Sequence, residues 1–195
     1  LIVHGGAWDI PDEFVEDHVN GVQKACENIY PQLAQGMSAL DAVEKAVNIL
    51  EEDPTFDAGC GSFLNDVGEV ELDAMIMDGQ KLDFASVAGV QNLLNPVTLA
   101  RKIMENSEFR FLMGTGANRY AQEMGMQLVD PSELITERER ELYNKIKDDP
   151  TFKTKTPFEG EPGAGSPSDT VGAVAIDVHG NLAAATSTGG TPRKH

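Results

Sequence analysis

Two stretches of the sequence place a turn between short apolar runs, and they constrain the fold more than any other feature. The first is Glu69–Gln91, with its turn at Asp78-Gly79, and the second is Val171–Thr188, with its turn at His179-Gly180-Asn181. Gly and Asn tolerate the positive φ angles of tight hairpin turns, and β-branched residues favour the flanking strands. The sequence therefore predicts two antiparallel β-hairpins.

Helical patterns occupy much of the chain between the hairpins. Ser38 is typical of an N-cap, Asp41 follows three residues later, and apolar residues recur at spacings of three and four from Leu40 to Leu50. The same reasoning predicts further helices at Asp12–Gln35, Pro96–Met104, Gly116–Met124 and Ser132–Lys147, the last of them on the surface. A buried strand is predicted at the N-terminal LIVH and another strand at Phe109–Met113. Strands interleaved with helices indicate an α/β fold.

Charge and composition exclude several classes of function. The 195 residues carry a formal net charge of −17, which repels nucleic acid and anionic membrane surfaces. Only two cysteines are present, Cys26 and Cys60, so we expect small buried side chains rather than disulfides and a reducing, cytoplasmic location. No apolar run is long enough to predict a membrane span, and the four histidines show no metal-ligand spacing.

The junction between residues 169 and 170 is abrupt. Asp148–Ser168 lacks apolar periodicity and is rich in Pro and Gly, which predicts a flexible connector, and Thr170 opens a strand directly after Asp169. Cleavage of this peptide bond would give Thr170 a free α-amine. With a pKa of about 7.7 to 8.0, that amine is the base its own hydroxyl needs to become a nucleophile. The ordinary alternative is a threonine favoured at a strand start for its β-branched side chain.

Six motifs occur in order along the chain: HGGAW (4–8), LEEDPTFDAGCGSFLN (50–65), ELDAMIMDG (71–79), NPVTLAR (95–101), TVGAVAID (170–177) and ATSTGG (185–190). In order and spacing they resemble the plant-type L-asparaginases and isoaspartyl peptidases. This family belongs to the Ntn-hydrolases, whose nucleophile is an N-terminal residue. Motifs in register over almost the whole chain are far more specific than any single glycine-rich loop.

The resemblance implies a four-layer αββα sandwich made as a precursor that cuts itself at Asp169-Thr170. Residues 1–169, including the linker 148–169, would form the α-subunit portion, and residues 170–195 would begin the β-subunit. The chain stops before the family's GRVGDSP-like and TTGHG-like segments, so we expect a sandwich that is incomplete at the C-terminus and has little activity alone. Hydrolysis of L-asparagine and β-aspartyl dipeptides by a homodimer of αβ units is the implied function.

Roles for individual residues also follow from the resemblance. It implies that Thr170 is the nucleophile, that Thr188 assists it, and that Gly189 and Gly190 neighbour the substrate. The turn of His4, Gly5 and Gly6 would pack near the scissile bond. No catalytic cofactor is implied. A structural sodium ion would bind the main-chain carbonyl groups of Leu50, Glu51, Asp53, Phe56, Ala58 and Cys60.

Three residues depart from the family pattern. Asp169 replaces the usual glycine before the nucleophile, Trp8 replaces a glycine, and Asp57 replaces an asparagine that contacts the active-site cluster. Asp57 is therefore either an acid beside the active site or a solvated loop residue. By its register, Arg193 is not the family's substrate-binding arginine. Two alternatives stay open: a glycosylasparagine hydrolase similar to the aspartylglucosaminidases, suggested by the Asp-Thr junction, and a truncated or unprocessed noncatalytic homologue.

Overall fold

A computed structural model describes residues 1–7, 10–152 and 170–195. Within these ranges the chain forms an α/β fold of one mixed six-stranded sheet and six helices. The strands are β1 (Ile2–His4), β2 (Leu72–Asp78), β3 (Asp83–Val90), β4 (Phe111–Met113), β5 (Val171–Ile176) and β6 (Leu182–Thr188). The helices are α1 (Asp12–Ala34), α2 (Ala39–Glu51), α3 (Pro96–Asn106), α4 (Gly114–Glu123), α5 (Pro131–Leu134) and α6 (Glu137–Ile146).

The two predicted hairpins form the centre of the sheet. Its strand order is β1-β5-β6-β2-β3-β4, so the β5/β6 and β2/β3 hairpins lie side by side and join through antiparallel β6 and β2. At the edges, β1 runs antiparallel to β5 and β4 runs parallel to β3. The register aligns Ala173 with Ala185, Ala185 with Ile76, and Ile76 with Ala85, which places these four buried residues on one face.

Helices α2 and α3 cover that face. The apolar stripe predicted for α2 is buried, with Val43, Val47 and Leu50 fully excluded from solvent, and α3 contributes Leu99 and Ile103 to the same core. The strands offer mainly alanines beneath them, which let the helices approach the sheet closely. Burial of this face supplies the hydrophobic stabilisation of the described fold.

The opposite face of the sheet is apolar but exposed to solvent. Val174 is 47% exposed and Phe84 is 43% exposed, although both lie on central strands. Met75, Met77 and Ile176 alternate with buried neighbours and are also exposed. A groove of about 290 Å³ runs along this face beside Ile2, His4, Met75, Met77, Gly172 and Val174.

Several predictions of local structure are confirmed. The Ser38 side chain accepts a hydrogen bond from the Asp41 N–H at 3.1 Å, as an N-cap does. In the two turns, Asp78 Oδ1 accepts from the Gln80 N–H and Asp177 Oδ1 accepts from the His179 N–H. The predicted α/β class is confirmed as well.

Several predictions are wrong in detail. The helix predicted at Ser132–Lys147 is two helices, because Ile135 is extended and the Thr136 hydroxyl caps α6 by accepting from the Glu139 N–H. This segment is also not purely a surface element, since Leu134, Glu139 and Ile146 are buried. The N-terminal strand expected to be buried is instead an edge strand with Ile2 exposed, and the cysteines expected to be buried are only half-buried. Most of the predicted connector, from residue 153 to 168, lies outside the described residues.

Among the described residues, no helix combines the length and the apolar character needed to cross a lipid bilayer.

The backbone around Gly59 leaves no room for a side chain. A Cβ atom there would overlap the Glu51 carbonyl oxygen and lie 2.6 Å from the Leu94 carbonyl oxygen, at a φ of +58°. We expect Gly59→Ala to lower the free energy of unfolding by roughly 3 kcal/mol or more. Gly89 is a matched control because it has the same φ of +58° with no atom within 4 Å of the added Cβ. Gly89→Ala should cost only about 1 to 2 kcal/mol, the price of the left-handed backbone. Equal losses in urea denaturation would contradict the steric account.

Candidate active site

Two threonine hydroxyls meet where β5 begins and β6 ends. The β5/β6 register aligns Val171 with Ser187, so Thr170 lies opposite Thr188 at the next position. A hydrogen bond of 3.1 Å joins Thr170 Oγ1 to Thr188 Oγ1, and the Thr170 residue is exposed. The structure thus brings together the two residues predicted to be the nucleophile and its assistant, at the end of a regular hairpin.

The backbone after β6 fixes the Thr188 hydroxyl. The Gly190 N–H donates to Thr188 Oγ1 at 3.0 Å, which the chain achieves by placing Gly190 at a φ of +76°. Thr188 Oγ1 therefore has a backbone donor on one side and the Thr170 hydroxyl on the other. This arrangement restricts where Thr188 can point and so orients the Thr170 oxygen.

Asp57 contacts Gly189, the residue that follows Thr188. The Gly189 N–H donates to the Asp57 carbonyl oxygen at 2.9 Å. A Cβ at Gly189 would overlap Asp57 Oδ1 and lie 2.6 Å from Ser62 Oγ, so only glycine fits. Asp57 Oδ1 also accepts from the Phe63 N–H at 2.9 Å, and the residue is only 2% exposed. The interpretation of Asp57 as a solvated loop acid is therefore wrong.

Lys194 is a neighbour of the site that the sequence analysis missed. Its ammonium group donates to the Gly189 carbonyl oxygen at 2.5 Å and to the Phe63 carbonyl oxygen at 3.2 Å. Burial lowers the Lys194 pKa below its ordinary value, while the carboxylates of Asp57, Glu71 and Asp73 act in the opposite direction. No sequence pattern identifies Lys194 as a partner of Phe63, because the two residues are 131 positions apart in the chain.

The predicted His4–Gly6 turn lies beside the same end of the sheet. His4 pairs with Gly172 on β5, and the antiparallel register carries the chain from there toward Thr170. A Cβ at Gly5 would stand 2.7 Å from the Phe56 side chain, and Gly6 has a φ of +117°. Glycines are thus required for this close turn. Trp8 and Asp169, the other two residues singled out near the junction, lie outside the described residues.

The residues predicted to hold sodium form the end of α2, with Leu50 and Glu51, and the loop that follows, with Asp53, Phe56, Ala58 and Cys60. The Cys60 N–H closes this loop by donating to the Glu51 carbonyl oxygen at 2.8 Å. A Cβ at Gly61 would stand 2.5 Å from the Pro54 carbonyl oxygen and 2.9 Å from that of Phe56. Main-chain carbonyl groups therefore converge on the glycines of the loop.

Two ionisable side chains, Arg138 and Glu51, form hydrogen bonds at or beside this loop. The Arg138 guanidinium donates to the Thr55 and Gly61 carbonyl oxygens at 3.1 and 3.3 Å. The Glu51 carboxyl is fully buried and accepts from the Val97 N–H at 3.1 Å. Burial raises the Glu51 pKa to about 8, whereas hydrogen bonds with Ser187, the Val97 N–H and Asn95 act to lower it, so this carboxyl is largely protonated at neutral pH. No cluster of three His, Cys, Asp or Glu side chains within the described ranges could hold a metal.

Arg193 has a structural role. Its guanidinium donates to the carbonyl oxygens of Ile146 and Asp149, at 3.0 and 2.8 Å, and so ties the C-terminal end of α6 to the segment after β6. It also lies 5.7 Å from the centre of the Phe152 ring. This position agrees with the register argument that Arg193 is not the substrate-binding arginine.

Comparisons with known proteins identify the family of this chain. The family model described as asparaginase matches residues 1–195. The chain belongs to the asparaginase family. Among its asparaginase-family relatives, the isoaspartyl peptidase/L-asparaginases of Xenopus laevis and Danio rerio are each 43% identical to it, and that of Homo sapiens is 44% identical. The matches cover 100% of this chain but 60%, 60% and 61% of the three relatives, so the chain spans about three fifths of their length.

The hydrogen bonds of Thr188 lead to a test of its positioning role. Thr188→Val keeps the side-chain shape but removes the acceptor of the Gly190 N–H and the partner of Thr170. We expect the free energy of unfolding to fall by about 1 kcal/mol, the usual net contribution of such a bond. Thr188→Ser retains the hydroxyl and should keep most of that stability. Urea denaturation of both variants checks this, and equal stability of the valine variant and the wild type would refute it.

Proposed function

We propose that this protein is a threonine-dependent amidohydrolase that acts on L-asparagine and on β-aspartyl dipeptides. The observation that carries the proposal is the hydrogen bond between Thr170 and Thr188 at the start of β5. It provides an exposed hydroxyl, next to the predicted cleavage point, with a second hydroxyl fixed beside it. Relatives of 43 to 44% identity bear the name isoaspartyl peptidase/L-asparaginase, which supports this substrate class.

Self-cleavage is the first step of the proposed mechanism. Thr170 Oγ1 attacks the carbonyl carbon of residue 169, the peptide C–N bond breaks, and the nitrogen of Thr170 takes up the proton lost by the hydroxyl. Water then hydrolyses the resulting ester and leaves a free carboxylate on residue 169 and a free amine on Thr170. Thr188 holds the attacking oxygen in place through its own bond to the Gly190 N–H.

The free amine then serves as the base for turnover. It takes the proton from Thr170 Oγ1, which attacks the side-chain amide carbonyl of the substrate. Ammonia, or the amine of the next residue in a β-aspartyl dipeptide, leaves with that proton. Water hydrolyses the acyl ester and releases aspartate. With an amine pKa of about 7.7 to 8.0, part of the enzyme carries the neutral base at physiological pH.

The finer architecture is also part of the proposal. We infer that the exposed apolar face of the sheet packs against a second sheet, which would complete the αββα sandwich. Side chains such as Val174 and Phe84 are more than 40% exposed on central strands, whereas folded proteins rarely expose a large apolar face. The remaining two fifths of the relatives' length is available to supply the missing layers.

Three further features stay predictions. A structural sodium ion would fit the loop after α2, because hard cations prefer oxygen ligands and main-chain carbonyl oxygens crowd this loop. Those of Glu51 and Phe56 lie against Gly59 and Gly61, respectively. The ion would hold the loop and take no part in the reaction. A homodimer of αβ units and a cytoplasmic location are the other two.

The alternatives differ in their support. The names of the relatives favour asparaginase and isoaspartyl peptidase activity over hydrolysis of glycosylasparagines. The glycosylasparagine alternative was suggested by the Asp-Thr junction, and Asp169 of that junction lies outside the described residues. A noncatalytic homologue would not need the Thr170 to Thr188 hydrogen bond. Turnover measured with L-asparagine, a β-aspartyl dipeptide and a glycosylasparagine separates the three.

The decisive experiment follows self-cleavage and turnover in the full-length protein. Thr170→Ala removes the attacking oxygen, so the intact mass should stay that of one chain and asparagine turnover should fall by at least about a thousandfold. Thr170→Ser keeps an oxygen nucleophile and should still cleave, more slowly. Thr115→Ala is the control, because this exposed threonine lies on α4, away from the β5 and β6 ends.

Two results would contradict the proposal. Cleavage at residue 170 in the alanine variant would show that the bond is cut by another agent. A wild-type protein that cleaves correctly but releases no ammonia from L-asparagine and does not split β-aspartyl dipeptides would remove the proposed substrates.

A further inference from the structure

Two opposite charges contact the same two residues, Phe63 and Gly189, next to the threonine site. On one side, the Asp57 carboxylate accepts from the Phe63 N–H at 2.9 Å and packs against the Gly189 α-carbon. On the other side, the Lys194 ammonium donates to the Phe63 carbonyl oxygen at 3.2 Å and to the Gly189 carbonyl oxygen at 2.5 Å. Both charged groups therefore lie within one residue of Thr188.

Neither charge is in a position where water can compensate it fully. Asp57 is 2% exposed, and a carboxylate at such a site is costly unless a cation or several hydrogen bonds stabilise it. Lys194 is itself partly buried, with two carbonyl groups as its hydrogen-bond acceptors. When one member of a buried charge pair is removed, the other is left uncompensated, which is far more damaging than replacing both members together.

The backbone of Gly189 is held by both residues. The Gly189 N–H donates to the main-chain carbonyl oxygen of Asp57 at 2.9 Å, and the Gly189 carbonyl oxygen accepts from the Lys194 ammonium group. The next N–H, of Gly190, is the donor that fixes the Thr188 hydroxyl. A shift of Gly189 would therefore move the Thr188 oxygen away from Thr170.

We propose that Lys194 and Asp57 form a compensated charge pair that positions the Thr188 hydroxyl. Lys194 neutralises the buried carboxylate and holds the Gly189 carbonyl oxygen, so both residues act on Thr188 as positioning residues. The catalytic consequence rests on the proposed function, whereas the pairing itself does not. The acid at position 57 is thereby tolerated beside a site where an oxyanion forms.

A charge-rescue experiment in the full-length protein tests the pair. Lys194→Met keeps the length of the side chain but leaves the carboxylate uncompensated, and we expect asparagine turnover to fall by about tenfold or more. Adding Asp57→Asn removes that uncompensated charge, and the double variant should recover to within about threefold of the Asp57→Asn single variant. A lysine that acted only by filling space would show no such recovery.

Glu71→Gln is the matched control. Glu71 is another carboxylate that acts on Lys194, yet it is less buried than Asp57. Removing its charge should not rescue Lys194→Met. If Glu71→Gln restores turnover as well as Asp57→Asn does, the specific pairing with Asp57 is refuted.

Thermal unfolding separates this inference from the proposed function. The same single and double variants are made in a Thr170→Ala background, which neither cleaves nor turns over, and their melting temperatures are compared. Coupled shifts, with the double variant melting above Lys194→Met alone, support the pair even if the wild type proves inactive on every substrate. Additive shifts refute the pair even if the wild type is an active asparaginase.

Discussion

The antiparallel register between β5 and β6 is the constraint on which the site depends. It aligns Val171 with Ser187 and so sets Thr170 opposite Thr188. A slip of one residue would turn every side chain of β5 to the other face. The alanines of β5 would then lose their burial against α2, so core packing and the site geometry enforce the same register.

The position of Asp57 follows from the helix that covers this sheet. Helix α2 packs its Val43, Val47 and Leu50 stripe on the alanine-lined face, and the chain leaves the helix at Glu51. The glycines of the next loop allow it to fold back tightly, with Cys60 bonded to Glu51, and this brings Asp57 beneath Gly189. The acid therefore reaches the site as a consequence of helix–sheet packing, although it is remote from β6 in the sequence.

Local patterns predicted most of the fold because local physics decides it. Apolar runs separated by turn residues were enough to predict the two hairpins. The Ser38 cap and the apolar stripe that follows it were enough to predict α2. The sequence analysis missed the break between α5 and α6, because neither Ile135 nor Thr136 is a strong helix breaker. The break depends on the Thr136 side chain, which caps the start of α6. The roles implied for Thr170 and Thr188 came from motif resemblance, and only their hydrogen bond required the structure.

Lys194 shows why the remainder of the site could not be predicted. Its importance depends on which carbonyl groups and carboxylates surround it in three dimensions, and these belong to the loop at Asp57–Phe63 and to the end of β6. A charge near the end of a polar segment is ordinarily solvated. Burial beside an acid reverses that expectation, because two charges that water no longer screens must be compensated by each other or by nearby dipoles. Such compensation leaves no periodicity in the sequence, since it is a property of the packed fold alone.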